Sequence, residues 1–224
     1  FAAKNGIVNY DTASTYASEK LIGDFLLTHQ ITKAKICTKF HKLNSDYKSH
    51  TRKIIEKSIK NLKHNIYCLF FHNIGDIKYY KKDPEFFLNL RKEYSKKKIG
   101  FSVYDPSELK GLIYKDKVCL QIPYNLVNSK FDLLLKKNQY KKIFARSIFL
   151  QGLLLRPASM WPSWINKIST EHHKSLEILA YKRCCSLINL ALRSYYAHSL
   201  SSLAGNWRVN RIGRLTCVSI GSAG

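Results

Sequence analysis

Asp11, Tyr16, Lys39 and His72 are side-chain types that together can deliver a proton to a carbonyl oxygen. A phenol with its ordinary pKa of about 10 is a poor acid at neutral pH, and a lysine ammonium beside it stabilises the phenolate and makes it a better one. An aspartate can hold that ammonium charged and in place. A histidine across the pocket can hydrogen-bond the substrate oxygen. Such a set protonates a carbonyl oxygen while hydride arrives at the carbon. Each member also has a plain structural use: Asp11 as a helix cap, Tyr16 as a packing ring, Lys39 as a solvated charge and His72 as a satisfied core histidine. What favours the chemical reading is where they fall, in order, at the ends of successive strand-like segments.

Those segments set the frame. Residues 7–10 form a short run with β-branched and aromatic members, and the Asp-Thr-Ala-Ser-Thr that follows breaks the pattern and is expected to cap a helix over 19–28. Residues 35–40 and 66–71 are two further apolar segments, the second near-continuous as for a strand covered on both faces. Between them residues 51–62 place Ile54, Ile55, Ile59 and Leu62 at helical spacing. Asp83-Pro84-Glu85 and Asp105-Pro106-Ser107 each open a helix, with a cap and a proline in the first turn. Residues 98–103, 118–125 and 142–147 supply three more strands, and a helix lies near 132–137. Six strands alternating with helices predict a parallel sheet. Their ends carry Asp11, Lys39, His72, Ser102, Gln121 and Ser147. A closed α/β barrel gathers such side chains at one rim, whereas a doubly wound open sheet gathers them less well and usually begins with a glycine-rich phosphate loop, which is missing here.

The chain has 224 residues, 45% of them hydrophobic, enough for one sizeable core, and a formal charge of +23. No apolar run has transmembrane length, and the N-terminus lacks the pattern of a signal peptide, so a cytoplasmic protein without membrane association is expected. Cys37, Cys68 and Cys119 sit in apolar strands and outside any Cys-x-x-Cys pair, which predicts buried free thiols. No metal site is expected, the His172-His173 pair included. The positive charge invites nucleic-acid binding, but the lysines are spread over predicted helices and loops, among them Lys57, Lys60, Lys81, Lys82, Lys98, Lys136, Lys137, Lys141 and Lys142, without one stripe of interleaved aromatics. They are read as solvated helix faces, and no specific nucleic-acid partner is expected. His29, His41, His50, His64, His172, His173 and His198 are read as surface residues. Residues 156–162 are expected to form a loop and 172–192 a long helix. Beyond Lys182 there is no lysine and beyond Glu177 no acid. Residues 183–224 are therefore set apart as an atypical tail, with 215–220 at best a weak strand.

Tyr10-Asp11-Thr12-Ala13 with Tyr16 and Ser18-Glu19, then Thr38-Lys39, then His72, resembles the Asp, Tyr, Lys and His tetrad of the aldo-keto reductases in order and spacing. The resemblance covers about residues 5–155. It implies a (β/α)8 barrel, reduction of a small aldehyde or ketone by NADPH or NADH, and Tyr16 as proton donor. Ser102 and Gln121 match the positions that hold the nicotinamide carboxamide. Residues 146–152, with Arg146, Ser147, Phe149 and Gln151, match the segment that packs on nicotinamide and contacts pyrophosphate. Gly100-Phe101-Ser102-Val103-Tyr104-Asp105-Pro106 and Gln121-Ile122-Pro123-Tyr124-Asn125 look like bacterial members found among sugar and envelope biosynthesis enzymes, which adds sugar-related carbonyls to the expected substrates. The family also contains channel β-subunit-like regulatory barrels, so binding of cofactor without turnover is the alternative. Several positions depart from the family pattern: Ala17 stands for a glycine, Val103 for an asparagine and Arg146 for a stacking aromatic. The barrel is expected to be incomplete, with its first strand missing and its eighth without a clear signal, over residues 1–182 of what looks like a fragment. The segment that binds the adenosine phosphate has no recognisable counterpart, and impaired activity is expected.

Overall fold

The computed structural model of the chain describes residues 3–94, 98–113, 117–128, 130–137, 139–163, 165, 167–192 and 218–219. It divides into two compact units, one comprising Phe1–Gln121, Gln139–Phe144 and Val209–Gly224, the other Ile122–Asn138 and Ala145–Arg208. In chain order the elements are β1 (Asn9–Asp11), α1 (Ser18–Thr28), β2 (Lys35–Phe40), α2 (Tyr47–Leu62), β3 (Ile66–Phe71), α3 (Ile77–Lys82), α4 (Pro84–Glu93), β4 (Lys98–Ser102), β5 (Cys119–Pro123), α5 (Asp132–Lys137), β6 (Lys142–Arg146), α6 (Lys167–Lys182) and β7 (Val218–Ser219). The strand order is β6-β5-β4-β3-β2-β1-β7, and β1 through β5 pair in parallel with their neighbours. Six strands in sequence order form an incomplete (β/α)8 barrel, the parallel sheet that the alternation of apolar runs predicted and the barrel that the resemblance implied.

The first unit is held by an aromatic layer between strands and helices. Phe71 and Phe101 stack at 4.8 Å between ring centroids, and Phe87 of α4 and Tyr80 of α3 meet them at 4.9 and 5.0 Å. All four rings are buried. The other face of the sheet carries a layer of thiols, Cys37, Cys68 and Cys119 with Phe70. Burial pushes the Cys68 thiol up, so it stays protonated at neutral pH. Gly100 is obligatory in that layer, because a Cβ there would lie 2.2 Å from the Cys119 carbonyl oxygen and 2.9 Å from the Phe70 ring. The β2–β3 register shifts between Ile36, opposite Ile66, and Cys37, opposite Cys68. Tyr67 is the extra residue of this bulge, and it packs against the thiol layer.

In the second unit Leu154, Trp161 and Leu176 form a separate cluster. His173 is fully buried there, its ring 4.5 Å from that of Trp161 and its Nε2 2.8 Å from the Arg156 carbonyl oxygen.

Several local expectations need correction. The N-cap of α1 is Ala17, without a side-chain hydrogen bond, so the loop after Asp11 does not cap that helix. Asp105 and Glu108 form a capping box, yet only the single turn Pro106–Leu109 follows. Helix α3 has no counterpart among the expected helices, because its lysines mask a short turn that buries only Ile77 and Tyr80. The predicted helix over 172–192 begins earlier, at Lys167, and breaks after Lys182, with residues 187–192 helical again beyond the break. Cys184 there adopts φ 48° and the Cys185 N–H closes on the Ala180 carbonyl at 3.0 Å, a left-handed helix end. Within the expected loop 156–162, Ala158–Met160 make a helical turn. His173 is core, not surface. Residues 218–219 of the presumed weak strand pair in parallel with β1, Tyr10 opposite Val218 and Asp11 opposite Ser219, on the edge where no neighbour was expected. Most of the remaining tail lies outside the described residues, His198 included.

Helices α1 and α2 cross closely at Gly23, where a Cβ would lie 2.1 Å from the Asn61 carbonyl oxygen and 2.7 Å from the Leu62 carbonyl carbon. Alanine improves helix propensity by about 1 kcal/mol relative to glycine, but overpacking against backbone costs about 1–3 kcal/mol. Gly23→Ala is therefore expected to lower the urea midpoint of unfolding. An unchanged or raised midpoint would contradict the close crossing.

Candidate active site

The first unit holds six of the sequence-identified side chains: Asp11, Tyr16, Lys39, His72, Ser102 and Gln121. Asp11 ends β1 and Lys39 lies near the end of β2, and the parallel register sets Asp11 beside Cys37, two residues before Lys39 on the same face. The Lys39 ammonium donates to Asp11 Oδ2 and to the Thr12 carbonyl oxygen, both at 2.7 Å. Gln121, in the middle of β5, donates from Nε2 to Asp11 Oδ1 at 2.9 Å. Asp11, Lys39 and Gln121 are all buried. A pair of charges this deep is tolerable only because each has further hydrogen-bonding partners. Ser102, buried at the end of β4, lies opposite Gln121 in the strand register.

Tyr16 reaches the pair from the loop between β1 and α1. That loop prolongs the strand pairing: Thr12 donates to the Cys37 carbonyl at 2.9 Å and Ser14 to the Lys39 carbonyl at 2.8 Å. Tyr16 then turns back, its N–H on the Ala13 carbonyl at 2.8 Å. The Lys39 ammonium lies 6.0 Å from the Tyr16 ring centroid, and the His72 ring stands edge-on to Tyr16 at 5.8 Å. Both rings are half-buried. His72 is fixed by its N–H on the Phe40 carbonyl at 3.1 Å, one step beyond the β2–β3 ladder.

Arg146, Ser147, Phe149 and Gln151 belong to the second unit, at and after the end of β6. Tyr124 donates to the Arg146 carbonyl at 3.1 Å and Asn125 to the Ser147 carbonyl at 3.1 Å. Ser147, Leu150 and Gln151 all have positive φ, at 55°, 47° and 55°, and Gly152 follows at 92°. Three left-handed non-glycine residues so close together mark a strained loop, of the kind found at ligand clamps.

Two groups around the site have roles that the sequence did not assign, although Ser18-Glu19 stands in the motif that carries the resemblance. Glu19 is buried in the first turn of α1, where it accepts from Thr38 Oγ1 at 2.7 Å and Asn61 Nδ2 at 3.3 Å, so it ties α1 and α2 to the residue before Lys39. Its signal was an acid three residues behind the Tyr16 loop on an otherwise apolar helix face. His41 lies 3.0 Å through Nδ1 from Ser14 Oγ, and its ring stands edge-on to His50 at 5.8 Å. Among the described residues no cluster of three or more His, Cys, Asp or Glu side chains is arranged to hold a metal ion, and no helix is long and apolar enough to cross a membrane.

Two measurements probe this geometry. Lys39→Met leaves the Asp11 carboxylate buried without its cation and is expected to destabilise the fold by about 3–5 kcal/mol in urea unfolding; a loss below about 1 kcal/mol would mean that the pair is not buried as described. Burial pushes the His41 imidazole below its ordinary value, with His50 and Lys57 acting the same way and Asp76 opposing. The unfolded chain then takes up a proton at a higher pH than the folded chain. The contribution of His41 is therefore present above about pH 6.5 and lost as pH falls through the lower folded value. Melting temperature should fall more between pH 7 and 5.5 in the parent than in His41→Gln. Equal falls would contradict the burial.

A family model described as the aldo/keto reductase family matches residues 1–207. No curated protein matches the chain. Solved structures similar to it include an aldo/keto reductase from Brucella melitensis, with a TM-score of 0.62 and 20% identity over 93% of this chain and 83% of that one. An aldose reductase from Schistosoma japonicum gives 0.58 and 16% over 93% and 78%. A thermostable aldo-keto reductase solved with the inhibitor epalrestat gives 0.64 and 17% over 93% and 81%. These structural likenesses bear on the fold, and the family match bears on the chemistry: with Asp11, Lys39, Tyr16 and His72 gathered at the carboxyl ends of parallel strands, the chain belongs to the aldo-keto reductase family.

Proposed function

We propose that Tyr16 is the proton donor for reduction of a small aldehyde or ketone, with Lys39 and Asp11 tuning it and His72 orienting the carbonyl oxygen. Membership of the family makes the protein an NAD(P)H-dependent carbonyl oxidoreductase in general terms. The observation that carries the finer reading is the buried Lys39–Asp11 pair, 2.7 Å apart, set under the only phenol on the loop that follows β1. A cation held at that depth is costly to the fold unless it has work to do on a neighbouring charge. His72, edge-on to the phenol, can donate to the same oxygen that Tyr16 protonates, which fixes the carbonyl in line with the acid.

The residues present also fit a nicotinamide cofactor. Gln121 Oε1 is buried without a hydrogen-bond partner among the described residues, while its Nε2 is committed to Asp11. An orphan acceptor of this kind suits the amide N–H of a carboxamide, and the neighbouring Ser102 hydroxyl can complete the grip. Arg146, Ser147, Phe149 and Gln151 are the proposed contacts for the ring and pyrophosphate. When bound, the cofactor supplies the hydride. NADPH is preferred over NADH here because the chain is strongly basic, which favours the more highly charged cofactor. The cytoplasm, where thiols such as Cys37, Cys68 and Cys119 stay reduced, is the compartment proposed, and a sugar-related carbonyl is included among the substrates.

The test is to titrate NADPH into the purified chain by fluorescence and then follow its oxidation with a panel of small aldehydes, including aldoses. Tyr16→Phe should leave cofactor binding nearly intact and cut turnover by a factor on the order of 100 or more, as for loss of a general acid. Unchanged turnover would sink the assignment. Cofactor binding with no turnover in the parent would favour a regulatory barrel instead.

A further inference from the structure

Three lysines stand at the other end of the same strands, and Lys98 and Lys142, read from the sequence as solvated helix faces, lie on strands instead. Lys35 begins β2, Lys98 begins β4 and Lys142 begins β6. Their ammoniums lie 5.6, 4.0 and 5.4 Å from the centroid of one ring, that of Tyr67, the bulged residue of β3. Lys142 Nζ is also 3.4 Å from the Tyr67 hydroxyl and 5.0 Å from the Phe144 ring centroid. All of these residues belong to the first unit.

Alternation along a strand puts Lys35, Cys37 and Lys39 on one face of β2, and Lys98, Gly100 and Ser102 on one face of β4. The lysine cluster thus shares a face with the candidate active site. The thiol layer lies between them, and the two ends are separated by about 13 Å of strand. At the carboxyl end the single lysine is matched by Asp11. At the amino end, among the described residues, none of the three lysines makes an ion pair with a carboxylate. Sharing one ring brings the three ammoniums to within about 11 Å of one another, a little beyond the Debye length of about 8 Å, so physiological salt damps their repulsion without removing it. Cation–π attraction to the shared ring is of the same order as that damped repulsion and holds the cluster together. The cluster is thus held together without a carboxylate among the described residues, and an anion is the complement it lacks.

We propose that this mouth binds a phosphoryl group, with Lys35, Lys98 and Lys142 as its cationic donors and the Tyr67 hydroxyl as a further polar contact. The size of the site selects the ligand. Three donors converging on one ring fit a single compact dianion, whereas a duplex nucleic acid needs a row of lysines along its backbone. The bulge that turns Tyr67 onto the lysine side of the sheet is the local device that builds the site, because without the extra residue the ring position would fall on the opposite face. This site is independent of the carbonyl chemistry proposed above, and its test reads binding alone.

Calorimetric titration of the purified chain with inorganic phosphate and with pyrophosphate, at ionic strength held constant with sodium chloride, should show saturable binding at one site. Lys98→Gln combined with Lys142→Gln should weaken it at least tenfold and should leave NADPH binding in place, since neither residue adjoins the proposed cofactor contacts. If the double variant melts early, Lys142→Gln alone, a change at a half-buried side chain, carries the same test. Co-sedimentation with vesicles containing phosphatidic acid tells a lipid phosphomonoester from a free anion, and preferential binding of either supports the site. Phosphate affinity unchanged in the variants, heat signals that follow ionic strength alone, or a preference for duplex DNA with a steep salt dependence would each overturn the proposal.

Discussion

The buried ion pair between Lys39 and Asp11 is the constraint around which the first unit is arranged. Taking both charges out of water costs several kcal/mol per ion, and contact at 2.7 Å offsets this only with further hydrogen bonds in place. The fold supplies them from three directions. The Thr12 carbonyl takes a second ammonium proton, Gln121 occupies the other carboxylate oxygen, and the register of β1 on β2 fixes the separation of the pair. Glu19 adds a fourth tie, through Thr38 beside Lys39. The close crossing of α1 and α2 at Gly23 belongs to the same arrangement, because Asn61, whose carbonyl Gly23 touches, also bonds Glu19.

Along the strands the shared face is layered by chemistry. A charged layer holds Asp11 and Lys39, paired with each other, with Ser102 and Gln121 beside them. Below it comes a layer of small soft groups, Cys37, Cys68 and Cys119 with Gly100, and then the lysines about Tyr67. Gly100 explains the middle layer. With no side chain on β4 at that height, the Phe70 ring and the Cys119 backbone close the space. Thiols suit such a place because they fill volume without demanding partners. The layer therefore insulates a site that needs its charges paired from an end of the sheet where they are not.

The parts legible in the sequence were those with strong period or punctuation. Lys35–Phe40 and Ile66–Phe71 are apolar runs whose ends the structure reproduces, and the cap and proline at Asp83-Pro84 start α4 as read. Asp11, Lys39, Ser102 and Gln121 were found because a strand end is a place that topology alone makes common to several elements. What escaped depends on distance in space. A bulge at Tyr67 leaves no mark in a β-rich run, and it changes which side of the sheet the ring occupies. Lysines at positions 98 and 142 look solvated in a basic chain, and only the sheet reveals that they converge. The helix end at Lys182 is written in a left-handed cysteine, a residue without turn preference, so nothing in the sequence foretold it. The burial of His173 depends on Trp161 and the Arg156 carbonyl, which a helical periodicity cannot show.

The central claim is that the Lys39–Asp11 pair is kept for chemistry at a cost to the fold. The most direct measurement compares the parent with the double replacement Asp11→Leu and Lys39→Met, by urea unfolding and by NADPH-dependent reduction of a small aldehyde. An apolar pair of similar volume is predicted to keep stability within about 1 kcal/mol of the parent or to raise it, while turnover falls by a factor on the order of 100 or more. A double variant that unfolds easily, or one that keeps ordinary turnover, would contradict the account.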